Sequence, residues 1–269
     1  SRLGIPIVFS TDPRHGVGRG MPGGAAPGAT PAAPPRPTMS QWPDQLGLAA
    51  ARDPELVRQF GRIAATELRA IGIQCLLGPM ADIITEPRWN RINGTFGEDP
   101  ALVTSLTKAI VEGFQGKQLG PESVMTVTKH FPGDGAGESG RESHTDIGKY
   151  AVYPGGNEEG TYKPFLSALD SAAVMLSYSI GVAADGSPAF GDMVATAYDK
   201  EKVALLRDAG YDGVIMTDWR VTHNIEEFGG PWGKEKASVE ERHYAVLQSD
   251  VDMYGGNNDI APLKAAYDL

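Results

Sequence analysis

Short apolar runs alternate along the chain with longer stretches that carry apolar residues at helical spacing. Six runs are predicted as β-strands buried on both faces, because their apolar residues follow one another without regular alternation. These runs are residues 5–11, 74–80, 123–128, 173–177, 213–219 and 251–256. Helices are predicted between most of them, at residues 53–70, 100–114, 161–172, 200–209 and 239–248.

Alternating strands and helices predict a parallel sheet with helices packed outside it. Polar residues follow most of the predicted strands, as in a closed barrel, whose strands all end at one active-site face. An open doubly wound sheet would instead concentrate such residues at a single crevice. We therefore expect an α/β fold of the TIM-type (β/α) barrel class. Six strands are two fewer than such a barrel needs, so part of the barrel is absent, irregular or not recognisable from the apolar pattern.

Composition limits the remaining choices. The 269 residues suffice for one large domain, and we expect a single barrel over residues 1–269. The stretch 17–37 is rich in Gly, Ala and Pro, which is typical of an irregular loop inside the domain or of a disordered linker. A net charge of -10 argues against a nucleic-acid partner. No apolar run is long enough for a membrane span, and the single cysteine, Cys75, excludes an internal disulfide.

The predicted strand at residues 213–219 ends in a carboxylate and an indole, Asp218 and Trp219. The carboxyl ends of parallel strands are where α/β enzymes place reactive groups. A carboxylate beside a flat aromatic surface suits a sugar, which has a hydroxylated rim and apolar C–H faces. The alternative is that Asp218 caps a following helix and Trp219 packs in the core.

Other charged or polar side chains lie at or beyond the predicted carboxyl ends of strands, and a barrel would direct them to one pocket. Together with Asp218 they are Asp12, Arg91, Lys129, His130 and Tyr178. Each also has a structural interpretation. Lys129 could be a solvated loop lysine and His130 a core histidine. Arg91 could pair with Glu98 or Asp99.

Several chemistries have no matching motif. The five histidines are scattered, and neither His-x-x-x-His nor Cys-x-x-Cys spacing occurs, so we expect no metal. The Gly-rich segment 133–137 contains an acid and is not followed by the Lys-Ser/Thr pair of a phosphate loop. A serine nucleophile in Gly-x-Ser-x-Gly context is absent. Carboxylate chemistry without a cofactor fits best.

Four segments in order, residues 5–16, 86–100, 129–135 and 213–219, resemble glycoside hydrolase family 3. Residues 148–155 further resemble the exo-acting β-glucosidase branch of that family, whose members have two or more domains. The resemblance implies a retaining enzyme that removes terminal non-reducing β-D-glucosyl residues from oligosaccharides or β-glucosides. It favours a secreted or periplasmic protein, although the sequence itself leaves the location open.

The resemblance also implies roles for individual residues. Asp218, in its Thr-Asp-Trp context, matches the catalytic nucleophile, and Tyr178 matches a tyrosine close to it. Trp219 matches an aromatic residue that lines the pocket. The residues that match those holding the hydroxyls of the terminal glucosyl unit are Asp12, Arg91, Lys129 and His130.

The acid/base group is the main departure from the family pattern. Multidomain members take a glutamate from a second domain or a following loop, whereas residues 1–269 include no such domain and no usual first strand. The resemblance therefore implies a TIM-type (β/α) barrel that is incomplete at both ends. We therefore expect a C-terminal domain to supply the acid/base. The single-domain β-N-acetylhexosaminidases use a histidine from an Asp-Ser-His loop, and His144 follows Glu142 and Ser143 in a similar place. A β-N-acetylhexosaminidase using His144, or a catalytically incomplete sugar-binding barrel, thus remains an alternative.

Overall fold

The computed structural model describes residue 4 and residues 6–12, 39–145, 147–153, 155–156, 161–224 and 230–269. The predicted loop at residues 17–37 lies outside these described residues.

The described strands form one main parallel sheet and a separate parallel pair. In chain order they are β1 (Ser10–Thr11), β2 (Cys75–Leu76), β3 (Met125–Phe131), β4 (Tyr150–Val152), β5 (Ala173–Leu176), β6 (Ile180–Val182) and β7 (Val214–Met216). The main sheet has the order β1-β2-β3-β5-β7, and every neighbouring pair in it is parallel. With helices between its strands, the fold is α/β and consistent with an incomplete TIM barrel, as predicted.

Most strands are shorter than predicted. The sixth predicted strand, at residues 251–256, is wrong as a strand, because only a single parallel bridge joins Met253 to Met216. Within the described part of the chain, β1 pairs with β2 alone. Apolar side chains such as Ile7 and Phe9 beside β1 are exposed. The described sheet is therefore an open arc.

Seven α-helices lie in the described ranges, and local sequence explains where the longest ones begin. They are α1 (Gln45–Ala49), α2 (Pro54–Ala70), α3 (Pro100–Gln115), α4 (Lys163–Leu166), α5 (Lys200–Asp208), α6 (Val239–Gln248) and α7 (Ile260–Ala266). At α2 and α3 an aspartate accepts two backbone N–H hydrogen bonds immediately before the first-turn proline. Helices α1 and α7 were not predicted. The helix predicted at residues 161–172 is wrong beyond Leu166, where α4 ends and turns follow.

Alternate residues of the sheet pack in two directions, as strand geometry requires. Ala173 and Met175 of β5 join a small cluster with Val127 and Met216. The residues between and after them, Val174 and Leu176, pack instead into a large buried cluster that includes residues of α5 and α6. Both faces of the main sheet are thus covered in its central part.

The small β4–β6 pair holds together two loops beyond the carboxyl ends of the main strands. β4 follows the loop after β3, and β6 follows the turn after β5. The Tyr153 hydroxyl donates to the Gly133 carbonyl at 2.5 Å, which ties the same loop back towards the end of β3. These loops carry several of the predicted site residues.

The close approach of α2 and α3 gives a stability prediction. An added Cβ at Gly113 would lie 2.6 Å from the Arg58 carbonyl oxygen. We expect Gly113→Ala to lower the free energy of unfolding by about 1–2 kcal/mol, because the overlap outweighs the gain in helix propensity. Urea unfolding measures this. Gly120→Ala is the matched control, since an added Cβ there meets nothing within 4 Å. Equal stability of the two variants would contradict the prediction.

Candidate active site

The carboxyl edge of the main sheet brings the predicted site residues together. Asp12 follows β1 and Asp218 follows β7. Lys129 and His130 lie within β3, at its carboxyl end, and not beyond the strand as the shorter prediction placed them. The β3–β5 register shifts between Lys129 and Phe131. A bulge of this kind lets two consecutive side chains reach the same region.

Lys129 forms an ion pair with Asp12. Its Nζ donates to Asp12 Oδ1 at 2.6 Å, and its side chain is almost fully buried while that of Asp12 is 42% exposed. The interpretation of Lys129 as a solvated loop lysine is therefore wrong. This charge-assisted contact holds the Asp12 carboxylate at the edge of the site.

His130 lies between a carboxylate and a guanidinium. Its Nδ1 is 3.0 Å from Asp82 Oδ2, and its Nε2 is 3.2 Å from Arg91 Nη2. Because a guanidinium can only donate, we assign Nε2 as the acceptor and Nδ1–H as the donor to Asp82. Burial alone would raise the pKa of Asp82, but the contacts from His130, the Asp134 backbone N–H and Arg91 hold it below its ordinary value.

Asp218 is buried, and its two carboxylate oxygens differ in their contacts. The Trp219 backbone N–H donates to Oδ1 at 2.6 Å. Oδ2 accepts no hydrogen bond from the described residues. It lies 3.7 Å from His130 Nε2 and 3.9 Å from His144 Nε2. No helix begins within residues 219–224, so the interpretation of Asp218 as a helix cap finds no support there.

Trp219 and Tyr178 form one wall beside Asp218. The Tyr178 hydroxyl donates to the Trp219 carbonyl. Burial, followed by the nearby Asp218 carboxylate, raises the pKa of Tyr178 above its ordinary value. Gly255 and Gly256 lie against the Trp219 ring, where an added Cβ at Gly255 would be 2.6 Å from it. Glycine is thus required for this close approach.

Glu142 and His144 form a second pair facing Asp218. Glu142 Oε1 lies 2.5 Å from His144 Nδ1 and 3.5 Å from Arg91 Nη1, and Oε2 accepts from Trp89 Nε1 at 2.7 Å. Burial opposes ionisation of Glu142, but His144 and Arg91 outweigh it and lower its pKa to about 2. The imidazole of His144 stands edge-on to the Tyr178 ring, with 4.7 Å between ring centroids.

Arg91 does not pair with Glu98 or Asp99, the structural alternative considered for it. Its guanidinium contacts Glu142 and His130. Asp99 instead caps α3 and pairs with Arg52 at 3.1 Å. Burial disfavours the charged form of Arg91, but Glu142, Asp218 and other carboxylates around it raise its pKa.

Two carboxylates in this network were missed as site residues. Asp82 is fully buried and accepts from His130 and the Asp134 N–H. The Asp134 side chain accepts from three serine hydroxyls. Burial, followed by the charge of Glu142, raises the pKa of Asp134. Asp82 follows the predicted strand at residues 74–80, the same signal that identified the other residues.

The described residues hold neither a metal-binding cluster nor a membrane-spanning helix. They contain no cluster of three or more His, Cys, Asp or Glu side chains arranged to hold a metal ion. In the same ranges, no helix has both the length and the apolar character needed to cross a membrane.

The pKa of Glu142 generates a pH prediction. A carboxyl group whose pKa falls on folding contributes stability above its unfolded pKa and loses it as pH falls through the folded value. For Glu142 this window runs from its ordinary value of 4.5 down to about 2. We expect Glu142→Gln to reduce the loss of unfolding free energy over this window, measured by denaturant titration at a series of pH values. The same acid dependence in both proteins would contradict the assignment.

Comparison with known proteins places this geometry in a family. Residues 1–266 match the Glycosyl hydrolase family 3 N terminal domain. Beta-glucosidase C of Emericella nidulans is 42% identical over 95% of this chain and 41% of its own length. The periplasmic beta-glucosidase/beta-xylosidase of Dickeya chrysanthemi is 38% identical over 99% of this chain and 42% of its own.

A solved structure agrees with these sequence matches. The structure of a β-glucosidase from Erythrobacter marinus matches with a TM-score of 0.73 and 31% identity, over 99% of this chain and 32% of that one. The chain spans about two fifths of the length of the curated relatives it matches. With a profile match along nearly its whole length, this chain belongs to glycosyl hydrolase family 3.

Proposed function

We propose that residues 1–269 are the catalytic barrel of a retaining, exo-acting β-glucosidase. Its substrates are oligosaccharides or β-glucosides with a terminal non-reducing β-D-glucosyl residue. The observation that carries the proposal is Asp218, a buried carboxylate with Oδ1 fixed by the Trp219 N–H and Oδ2 free of hydrogen bonds from the described residues. The names of the relatives in Emericella and Dickeya support the substrate class.

The reaction proceeds by two displacements. Asp218 Oδ2 attacks the anomeric carbon and forms a covalent glycosyl–enzyme ester, while the bond to the leaving oxygen breaks and that oxygen receives a proton from the acid/base. Water, deprotonated by the same group, then attacks the anomeric carbon and releases Asp218. The configuration at the anomeric carbon is therefore retained.

The residues around Asp218 offer matching contacts for a glucosyl ring. The Asp12 carboxylate, held by Lys129, accepts hydrogen bonds from hydroxyls far from the anomeric carbon. Arg91 contacts His130, whose Nε2 lies 3.7 Å from Asp218 Oδ2, and these two side chains bind the hydroxyls nearer to the anomeric carbon. The indole of Trp219 provides an apolar surface for the C–H face of the sugar.

We place the acid/base outside this chain, on a glutamate of a C-terminal domain. An effective proton donor has a pKa near the working pH. Glu142 is the carboxyl group beside His144, and its pKa of about 2 makes it a poor donor. The pKa of Asp82 is also lowered, and its two oxygens are occupied by His130 and Asp134.

Replacing the nucleophile tests the proposal directly. We expect Asp218→Asn to lower kcat by about 10⁴-fold, because the amide cannot form the ester intermediate. A 2-deoxy-2-fluoro-β-glucoside should label Asp218 in the complete polypeptide, as read by peptide mass spectrometry. Asp208→Asn, at an exposed position of α5, is the control and should keep full activity. Labelling of a different carboxylate would overturn the assignment.

A second candidate function has an observation of its own. Glu142 holds Nδ1 of His144, and Nε2 lies 3.9 Å from Asp218 Oδ2. A histidine so oriented can pass a proton between Nε2 and a leaving oxygen. This arrangement supports a β-N-acetylhexosaminidase that uses His144 as its acid/base and needs no second domain.

Leaving-group dependence separates the two candidates. Loss of an acid/base slows substrates with poor leaving groups by about 10²–10⁴-fold but spares activated aryl glycosides. With an external glutamate, we expect His144→Ala to change hydrolysis of a disaccharide and of nitrophenyl β-glucoside by similar factors. Selective loss of the disaccharide reaction, with a preference for N-acetylglucosaminides, would support the second candidate. If residues 1–269 alone bind glucose but turn over neither substrate, the barrel is catalytically incomplete.

A further inference from the structure

We propose that Asp134 is a positioning residue that fixes the two segments carrying His144 and Tyr178 in place beside Asp218. The inference rests on the proposed function in one respect, which is that Asp218 is the reacting group. The described contacts of the Asp134 side chain are with serine hydroxyls and do not include Asp218.

The Asp134 carboxylate is the centre of a buried hydrogen-bond cluster. It is 2% exposed. Oδ2 accepts from the Ser143 hydroxyl at 2.6 Å, and Oδ1 accepts from the Ser177 hydroxyl at 3.0 Å and from that of Ser179. Three hydroxyl donors on two oxygens satisfy this buried carboxylate.

The three serines are sequence neighbours of His144 and Tyr178. Ser143 stands between Glu142 and His144, while Ser177 and Ser179 are the two neighbours of Tyr178. One carboxylate therefore holds both segments that meet in the edge-on contact of His144 with Tyr178. The Tyr178 hydroxyl in turn donates a hydrogen bond to the carbonyl of Trp219, the residue after Asp218.

Asp134 itself is held firmly by its backbone. Its N–H donates to Asp82 Oδ1 at 2.6 Å, so it shares an anchor with His130. At the next residue, Gly135, an added Cβ would lie 2.3 Å from the Ile83 carbonyl oxygen. The loop is thus packed directly on the segment after β2. Because the Asp134 backbone is held there, its carboxylate can restrain the three serines through their hydrogen bonds.

Geometry also predicts which substitution is tolerated. In Asp134→Asn the amide oxygen can still accept from Ser177 and Ser179. The amide N–H₂ can donate to Ser143 Oγ, whose own hydrogen can turn to Glu142 Oε1, 3.4 Å away. Asp134→Ala loses all three hydrogen bonds.

Kinetics of the complete polypeptide on nitrophenyl β-glucoside test the inference. We expect Asp134→Ala to lower kcat by about 100-fold, because displacement of about 1 Å near reacting groups has effects of this size. KM should change by less than about threefold, since the sugar contacts remain. Asp134→Asn should recover most of kcat, and Ser143→Ala should lose about tenfold.

Ser249→Ala is the matched control, because Ser249 is buried and its hydroxyl donates to the Ala245 carbonyl away from the site. It should keep wild-type kcat. A wild-type kcat in Asp134→Ala would overturn the inference, as would equal losses in Asp134→Asn and Asp134→Ala with both proteins folded. If Asp134→Ala fails to fold, Ser143→Ala decides, because it removes a single hydroxyl; an unchanged kcat there would overturn the inference.

A crystal structure of Ser143→Ala or Asp134→Ala separates this inference from the proposed function. The inference expects the segment 142–144 or the Tyr178 side chain to move relative to Asp218, whether or not the protein hydrolyses a β-glucoside. Unmoved segments would overturn it. Absence of wild-type β-glucosidase activity would instead count against the proposed function alone.

Discussion

The buried carboxylate of Asp82 constrains the arrangement of everything around Asp218. A buried charge is tolerated only where hydrogen bonds or opposite charges satisfy it. Asp82 accepts from the backbone N–H groups of His130 and Asp134 and from the His130 ring. These three hydrogen bonds fasten the end of β3 and the following loop to the segment after β2. Because His130 Nδ1 is committed to Asp82, its Nε2 faces Arg91 and Asp218.

The same logic explains why Oδ2 of Asp218 accepts no hydrogen bond from the described residues, although the site is crowded. Lys129 is paired with Asp12, and Arg91 is shared between Glu142 and His130. Arg91 also interacts electrostatically with the Asp218 carboxylate, although its closest contacts are with Glu142 and His130. The Trp219 N–H orients the carboxylate through Oδ1. An oxygen held by strong donors would be a weaker nucleophile, so this division of contacts suits attack through Oδ2.

The sequence predicted the helices whose ends are set by neighbouring residues. It did not predict the features that depend on contacts between distant parts of the chain. Helices α2 and α3 begin where an Asp-Pro pair predicts them. The helix predicted at residues 161–172 ends early, because Ser171 is drawn into buried hydrogen bonds with Thr126 and Thr128. The bulge that brings both Lys129 and His130 into the site has no sequence signature. The sequence places Asp134 in a Gly-rich loop. Its role could not be predicted, because its serine partners lie in other segments that only the fold brings to it.

The 3.9 Å between His144 Nε2 and Asp218 Oδ2 bears on where the acid/base comes from. The two catalytic groups of a retaining glycosidase lie about 5–5.5 Å apart, because the anomeric carbon and the leaving oxygen sit between them. His144 is closer than that, so a bound sugar would have to displace its ring by about 1 Å or more. Glu142 and the Ser143–Asp134 hydrogen bond oppose such a movement. These restraints support His144 as a wall of the site.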